Sequence, residues 1–190
     1  MASRAGKSKF PPSKLSVANL DTVFISMPHR IAYLPLGNIR RAVSLRAAAT
    51  IGSWRFLIHE KKRRVVASND GREEPVPIAA ATMVTTASAT YELGELNEGP
   101  FVAATEEAIR RAEKLPEVQK GRFEALLLIV PAVHVAALWL QDRDGDADLL
   151  LTIPPSNPAL VPYRPMTSAA FLDIVHSLAQ KVPPDEVTRG

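Results

Sequence analysis

The sequence predicts an α+β fold, in which a mostly antiparallel sheet is packed by a central helix and a C-terminal helix. Three observations support this class: short apolar segments that alternate with polar residues, turn signals between them, and two segments with helical periodicity. The chain of 190 residues, with a hydrophobic share of 46%, is long enough to bury one core without disulfide or metal support. A helix packed on an antiparallel sheet is the simplest architecture for this pattern.

The clearest local prediction is a central helix over about residues 100–115. Pro100 suits the first helical position, where its missing N–H needs no partner, and Pro116 stops the helix. Glu106 and Arg110 form a favourable pair four residues apart. The apolar stripe of this helix consists of Phe101, Val102, Thr105, Ala108, Ile109, Ala112 and Leu115.

Two further helices are expected. The C-terminal helix covers about residues 167–180, with Thr167 or Ser168 as its cap. A shorter helix begins at Asn38 and continues to about residue 50. The inward-facing residues of the C-terminal helix are Phe171, Ile174, Val175 and Leu178.

Strands are expected on both sides of the central helix. Residues 54–60 alternate, with Trp54 and Phe56 predicted to face inward, residues 61–63 form the turn, and residues 64–68 form the partner strand. Residues 69–71 then form a second turn.

The remaining strands are predicted from apolar runs. Residues 78–93 are rich in alanine and threonine and are compatible with either strand or helix, and the β-branched threonines and Tyr91 favour strand. Residues 123–141 form either one long strand with a bulge near Pro131 or two strands. A turn at residues 143–146 then leads into a strand over residues 149–153.

The chain divides into three parts in this interpretation. Residues 1–16 form a disordered arm that carries four basic residues and no acidic one. Residues 17–182 form the single α+β domain, and residues 183–190 form a flexible tail.

Composition excludes several classes of site. The chain has no cysteine, which removes disulfides, zinc–thiolate sites and thiol catalysis, and agrees with a cytoplasmic location. The longest apolar run, residues 125–140, is shorter than the roughly 20 residues that a membrane-spanning helix needs, so no membrane span is expected.

Charge is unevenly distributed along the chain. Residues 1–72 contain 14 lysines and arginines against 3 acidic residues, whereas the rest contains 9 against 17. The split predicts either an anionic partner for the first part or contacts between the two parts, within or between chains.

No motif fixes a reaction, and no metal or cofactor is predicted. The alternate aspartates of residues 142–148 lack the glycine and glutamate positions of a calcium-binding loop, so they read as a solvated turn. His134, within the apolar run, is a candidate general base, although a neutral, hydrogen-bonded core histidine is the more ordinary interpretation. Asp173 and His176 share a helix face and are most simply a surface ion pair.

Two groups of residues are candidates for interaction. A basic cluster beside Trp54 and Phe56 is suited to phosphate groups, and Trp139, just before a turn, is a candidate edge aromatic for contact with another chain. The interaction residues are Arg40, Arg41, Lys61, Lys62, Arg63, Arg64 and Trp139.

The leading functional prediction is a non-enzymatic protein-interaction or assembly subunit, with a protein partner or self-association. One alternative is a nucleic-acid-associated protein that uses the basic arm and residues 61–64, whose binding would weaken steeply with salt. Another alternative is a small enzyme with a histidine general base.

Overall fold

The computed structural model describes residues 13–63 and 73–183, which form one eight-stranded sheet and five α-helices. The strands are β1 Val23–Tyr33, β2 Thr50–Arg63, β3 Glu73–Thr85, β4 Tyr91–Asn97, β5 Phe123–Val130, β6 Val135–Asp142, β7 Leu149–Thr152 and β8 Pro165–Thr167. The helices are α1 Leu36–Ile39, α2 Leu45–Ala48, α3 Pro100–Ala112, α4 Pro116–Lys120 and α5 Ser168–Ala179.

The strand order across the sheet is β4-β3-β2-β1-β5-β6-β7-β8. Neighbouring strands are antiparallel throughout, with the exception of β1 and β5, which are parallel. A parallel pair needs a long crossover, and the chain between β1 and β5 supplies it through the β2–β4 meander and α3. The α+β class with a mostly antiparallel sheet is therefore confirmed.

Helices cover both faces of the sheet, because β5 and β6 are apolar on both sides. Leu126 and Leu128 point to one face, where they pack in a core with Trp139 and Phe171 beneath α1, α2 and α5; we call this the α5 face. Leu127 points to the other face, beneath α3, which we call the α3 face. Strands buried on both faces read as continuous apolar runs, as these do.

The two predicted main helices are present with the expected end signals. Gly99, with φ of 118°, occupies the N-cap of α3 in a conformation that favours glycine, and Pro100 follows as the first helical residue. Helix α3 ends at Ala112, three residues earlier than predicted, and α4 begins at Pro116. The Thr167 hydroxyl caps α5 by accepting a hydrogen bond from the Ala170 N–H at 3.3 Å.

The helix predicted from Asn38 to residue 50 is wrong as a single element. It is divided into the short helices α1 and α2. The Ser44 hydroxyl caps α2, and the Asn38 side-chain amide donates to the Ala48 carbonyl at 2.8 Å. These side chains satisfy backbone groups that a continuous helix would have paired within itself.

The turn predicted at residues 61–63 is also wrong. Strand β2 continues to Arg63, which lies opposite Glu73 of β3 in the register. Strand propensity depends on context, so charged residues near the end of a hairpin do not by themselves stop a strand. The predicted strand over 64–68 and turn over 69–71 lie outside the described residues.

The other apolar runs form three hairpins. Of the alternatives for residues 123–141, two strands are present, joined by the turn Pro131–Val133 and by His134 with φ of 54°. Residues 78–93 are divided between β3 and β4. Strands β6 and β7 are antiparallel neighbours on either side of the predicted aspartate-rich turn.

The folded body begins earlier than residue 17. The Glu98 carboxylate accepts hydrogen bonds from the Ser13 hydroxyl, the Lys14 N–H at 2.8 Å and the Leu15 N–H at 3.1 Å. Part of the predicted arm is thus attached to the end of β4. Residues 1–12 and 184–190, the rest of the predicted arm and most of the tail, lie outside the described residues.

Candidate interaction surface and buried polar clusters

The α5 face is covered by helices over only part of the sheet. Over β2, β3, β4 and the first part of β1, apolar side chains on this face remain exposed, including Tyr91 and Leu93, each with 59% of its surface accessible, and Ile25 with 65%. We call this surface the open face. It consists of Ile25, Pro28, Trp54, Phe56, Met83, Tyr91, Leu93 and Leu96.

The centre of the open face is a groove with aromatic walls. Its volume is about 400 Å³, and Trp54, Phe56 and Tyr91 line it together with Pro28 and Met83. Next to the groove, the Arg30 guanidinium carbon lies 5.7 Å from the centre of the Trp54 ring. A cation over an indole face is an attractive arrangement, and it places one positive charge beside an otherwise apolar surface.

A bulge in the edge strand β4 enlarges the open face. The register pairs Leu93 with Met83 but Leu96 with Ala81, so β4 has one extra residue at Gly94. The bulge brings Leu93 and Leu96 to the same face although they are three residues apart. A Cβ atom at Gly94 would lie 2.8 Å from a Val84 methyl group, which explains the glycine.

One end of the open face is closed by the N-terminal segment. Leu15 and Ala18 pack on Ile58, next to Phe56 on the same side of β2. The Asn19 N–H donates to the Glu60 carboxylate at 3.0 Å and fixes this segment. The apolar surface that remains open is therefore bounded by Leu15–Val17 and by the helix layer of the α5 face.

The α3 face carries a row of polar side chains across four strands. In the register His29 lies opposite Arg55, Arg55 opposite Thr82, and Thr82 opposite Glu95. We call these four residues the polar row. The first three are buried, and His29 Nε2, Arg55 Nε and Nη2 and Thr82 Oγ1 have no hydrogen-bond partner among the described residues.

Burial controls the titration of the two basic groups in the polar row. Desolvation lowers the pKa of Arg55, while the negative charge of Glu95 and the neighbouring Tyr33 act in the opposite direction. Desolvation also lowers the pKa of His29, whose Nδ1 is hydrogen-bonded to the Met27 carbonyl at 2.9 Å. Burial therefore disfavours the charged forms of the basic side chains in the polar row.

A second polar group connects α3 to the sheet. The Ser26 hydroxyl lies 2.9 Å from His59 Nδ1, and His59 Nε2 lies 3.4 Å from the Glu106 carboxylate. Glu106 also accepts two hydrogen bonds from Arg110, at 3.0 and 2.7 Å, and the Phe24 ring stacks on the imidazole at 5.4 Å. We call Ser26, His59 and Glu106 the serine cluster.

The predicted inward and outward faces of β2 are reversed. Trp54 and Phe56 were expected in the core, but they line the open face, whereas Leu57 and His59 are buried under α3. The sequence signal for the polar clusters was the alternation of residues 54–60, which places Arg55, Leu57 and His59 on one side. Their burial depends on α3, to which Glu106 belongs.

The predicted interaction residues Arg40 and Arg41 bind backbone carbonyls. Arg40 Nη2 donates to the carbonyls of Ala179 and Val182 at the end of α5, at 3.4 and 3.0 Å. Arg41 Nε donates to the Gly37 carbonyl at 3.2 Å. A basic side chain at a helix C-terminus satisfies free carbonyls, which gives Arg40 a structural role.

Lys61, the first residue of the basic segment, lies on the other side of β2 from the aromatic groove. The Lys61 ammonium lies 6.0 Å from the Phe24 ring centre, on the α3 face, whereas Trp54 and Phe56 lie on the open face. The register places Lys62 opposite Glu74 and Arg63 opposite Glu73. Arg64 lies outside the described residues.

Trp139 is a core residue, which corrects its interpretation as an edge aromatic. Its exposed fraction is 0%, and the indole N–H donates to the buried Asp148 carboxylate at 3.0 Å. Asp148 also accepts hydrogen bonds from the Arg46 guanidinium and the Asp142 N–H. One aspartate of the predicted solvated turn is therefore part of the core.

The histidines singled out from the sequence do not meet a partner acid. His134 is exposed in the turn between β5 and β6, not buried within a strand. Among the described residues, no ion pair joins Asp173 to His176. His59, which no local sequence pattern distinguishes, has a serine and a carboxylate beside it.

Within residues 13–63 and 73–183, no cluster of three or more acidic or histidine side chains is arranged to hold a metal ion. In the same residues no helix is long and apolar enough to cross a membrane. Comparison with protein-family models, curated proteins and solved structures finds no match. The fold and the surface therefore define an α+β protein with one half of one sheet face uncovered.

Proposed function

We propose that this protein is a non-enzymatic interaction subunit that binds a partner protein through the open face. The observation that carries this proposal is a sheet face covered by helices on one half and left apolar and aromatic on the other. Contiguous exposed apolar patches on soluble proteins mark interaction sites. Tryptophan, tyrosine, phenylalanine, methionine and arginine, the residue types at this groove, are those enriched where interfaces gain most of their energy.

The occupant that fits this surface is an amphipathic helix of the partner. On the adjoining half of the same face, α5 packs its own apolar side, with Phe171 and Val175, against the sheet. A partner helix beside it would continue that layer and bury the groove, as in helix-in-groove recognition. Arg30 forms no ion pair within the described residues, so the complementary helix carries a carboxylate next to its apolar stripe.

Photo-crosslinking tests this function directly. A photoreactive amino acid at Leu93, on the open face, is expected to crosslink a partner in native lysate, and the crosslinked peptide should show apolar residues at helical spacing with one acidic residue. The matched control places the same amino acid at Glu92, the next residue of β4, on the opposite face. Mass spectrometry of the crosslinked peptides reads the result.

A synthetic peptide of the crosslinked segment then gives the affinity. Trp54→Ala is expected to weaken its binding about 30-fold or more, because truncating a central aromatic anchor costs about 2 kcal/mol or more. A crosslink to this chain itself would instead identify a second copy as the occupant. Equal crosslinking from positions 92 and 93 would refute the use of the open face.

A second candidate function, ester hydrolysis, is favoured by the serine cluster alone. For the Ser26 hydroxyl to donate to His59 Nδ1, the ring proton must be on Nε2, which points towards Glu106. A serine, a histidine base next to it and a carboxylate that orients the histidine are the residue types of nucleophilic acyl transfer. Ser26 Oγ would attack the ester carbon while His59 takes its proton and returns it to the leaving alkoxide, and water would then release the acid.

A fluorophosphonate probe distinguishes this chemistry from a purely structural cluster. The expected result for a hydrolase is covalent labelling of Ser26, abolished in Ser26→Ala and slowed by about a hundredfold or more in His59→Asn, because a general base contributes about 10²–10⁴-fold. Peptide mass spectrometry locates the label. If folded wild-type protein stays unlabelled at millimolar probe, the serine cluster serves only to fasten α3 to β1 and β2.

A further inference from the structure

We infer that the polar row is a binding site for a small oxyanion, a carboxylate or phosphate group held by the Arg55 guanidinium. This inference is independent of the open face, since Arg55 points to the α3 face and Trp54 to the opposite one. It rests on the buried hydrogen-bond donors of Arg55 and on their place at the start of α3.

The Arg55 guanidinium has buried hydrogen-bond donors without acceptors among the described residues. Only 5% of its surface is exposed, and both Nε and Nη2 are buried without an acceptor among the described residues. These two nitrogens form the edge of the guanidinium that grips two oxygens of one carboxylate or phosphate at once. Buried guanidinium donors without acceptors are unfavourable, so this edge is complementary to an anion.

The neighbouring groups of the polar row extend the donor set. The Thr82 hydroxyl lies beside Arg55 in the register and is likewise buried without a partner. On the other side, His29 presents Nε2 without a partner, while its Nδ1 is bonded to Met27. The Thr82 hydroxyl is a donor suited to a third oxygen, whereas His29 Nε2, in a ring whose proton is on Nδ1, can only accept a hydrogen bond.

The start of α3 lies against the same guanidinium. The Arg55 guanidinium carbon is 5.6 Å from the ring centre of Phe101, in the first turn of this 13-residue helix. The N-terminus of α3 has no side-chain cap, and its dipole favours negative charge there. Glu95, at the end of the row, is the one acidic member and competes with an incoming anion for Arg55.

Burial limits the size of the ligand. A site in which the recognising side chain is almost wholly enclosed between sheet and helix takes a small anion, not the backbone of a nucleic acid. Carboxylate and phosphate ligands share one feature, a pair of oxygens on a single carbon or phosphorus atom. Inorganic phosphate and acetate are therefore the probes, titrated separately at constant ionic strength with chloride as the background ion.

Nuclear magnetic resonance of the full chain gives the decisive readout. The Nε–Hε signal of Arg55, assigned by its loss in Arg55→Lys, is expected to shift saturably with phosphate, acetate or both. The unfolding temperature should rise by about 5–10 °C at one hundred times the dissociation constant. Saturation with phosphate alone identifies a phosphoryl ligand, and saturation with acetate alone identifies a carboxylate.

Three variants control the test. Arg55→Lys keeps the charge but loses the paired donor edge, so it should bind at least about tenfold more weakly. Arg111→Lys replaces an exposed arginine of α3, the helix whose start lies against Arg55. This variant should bind the anion as wild type does. Glu95→Gln removes the competing carboxylate and should bind at least about threefold more tightly. No saturable shift with either probe, or equal responses of wild type and Arg55→Lys, would overturn the site.

Discussion

Replacing Asp148 with alanine is expected to lower the free energy of unfolding by about 2–4 kcal/mol. The carboxylate is buried and accepts hydrogen bonds from the Trp139 indole N–H, the Asp142 N–H, and Nε and Nη2 of Arg46. Its removal leaves a buried indole N–H without an acceptor, which costs about 1–3 kcal/mol, and a partly buried backbone N–H, which costs less. Chemical denaturation, monitored by the fluorescence of Trp139 and Trp54, measures the loss.

Asp146 supplies the matched control for this variant. It lies in the same turn, its side chain is fully exposed, and it is 3.9 Å from Arg46. Asp146→Ala is expected to change the free energy of unfolding by less than about 0.5 kcal/mol. Equal effects of the two alanine variants would show that the turn is not anchored through Asp148.

The contacts of Asp148 also determine how the stability difference between wild type and Asp148→Ala depends on pH. Burial alone raises the pKa of Asp148, but the bonds from Arg46, the Asp142 N–H and Trp139 outweigh it, so the pKa is lowered. Because the folded pKa is below the unfolded value of about 3.9, the stabilisation is present above that pH and is lost as pH falls through the folded pKa. The difference in unfolding free energy between wild type and Asp148→Ala should therefore stay constant between about pH 7 and about pH 5 and should narrow as the pH falls below about 4.

Local sequence signals were sufficient for the elements that depend on neighbouring residues. The α3 helix follows from Pro100 and from the spacing of its apolar residues, and α5 follows from its Thr167 cap. The β5–β6 hairpin was one of two alternatives, because Pro131 is compatible with either a bulge or a turn. The split between α1 and α2 was missed, since the Asn38 amide bonds to a carbonyl ten residues away.

The candidate sites depend on contacts that a single sequence does not contain. Alternation predicted that Trp54 and Phe56 share one face of β2, but hydrophobicity assigned that face to the core. The polar face is the buried one because Glu106 and Phe101, about fifty residues away, lie on the helix that covers it. Which residues lie opposite one another in the polar row also depends on the register of the strands. Bulges shift this register, and a bulge is not evident from residue types alone.

Two leucine-to-alanine substitutions on opposite faces of the same half of the sheet separate stability from function. Leu57 has an exposed fraction of 0% and packs against Val102 of α3, so Leu57→Ala is expected to cost about 2–5 kcal/mol of unfolding free energy. Leu93 is 59% exposed on the open face, so Leu93→Ala should change the unfolding free energy by less than about 0.5 kcal/mol.

The comparison matters because the same side chain is removed at both positions. If Leu93 contributes nothing to the stability of the isolated chain, folding does not account for a leucine at this exposed position. Binding of a partner protein does account for it. Chemical denaturation of both variants, at two protein concentrations, measures their unfolding free energies. A large, concentration-dependent loss in Leu93→Ala would show that the open face is already buried between copies of this chain, because the stability of an oligomer depends on protein concentration.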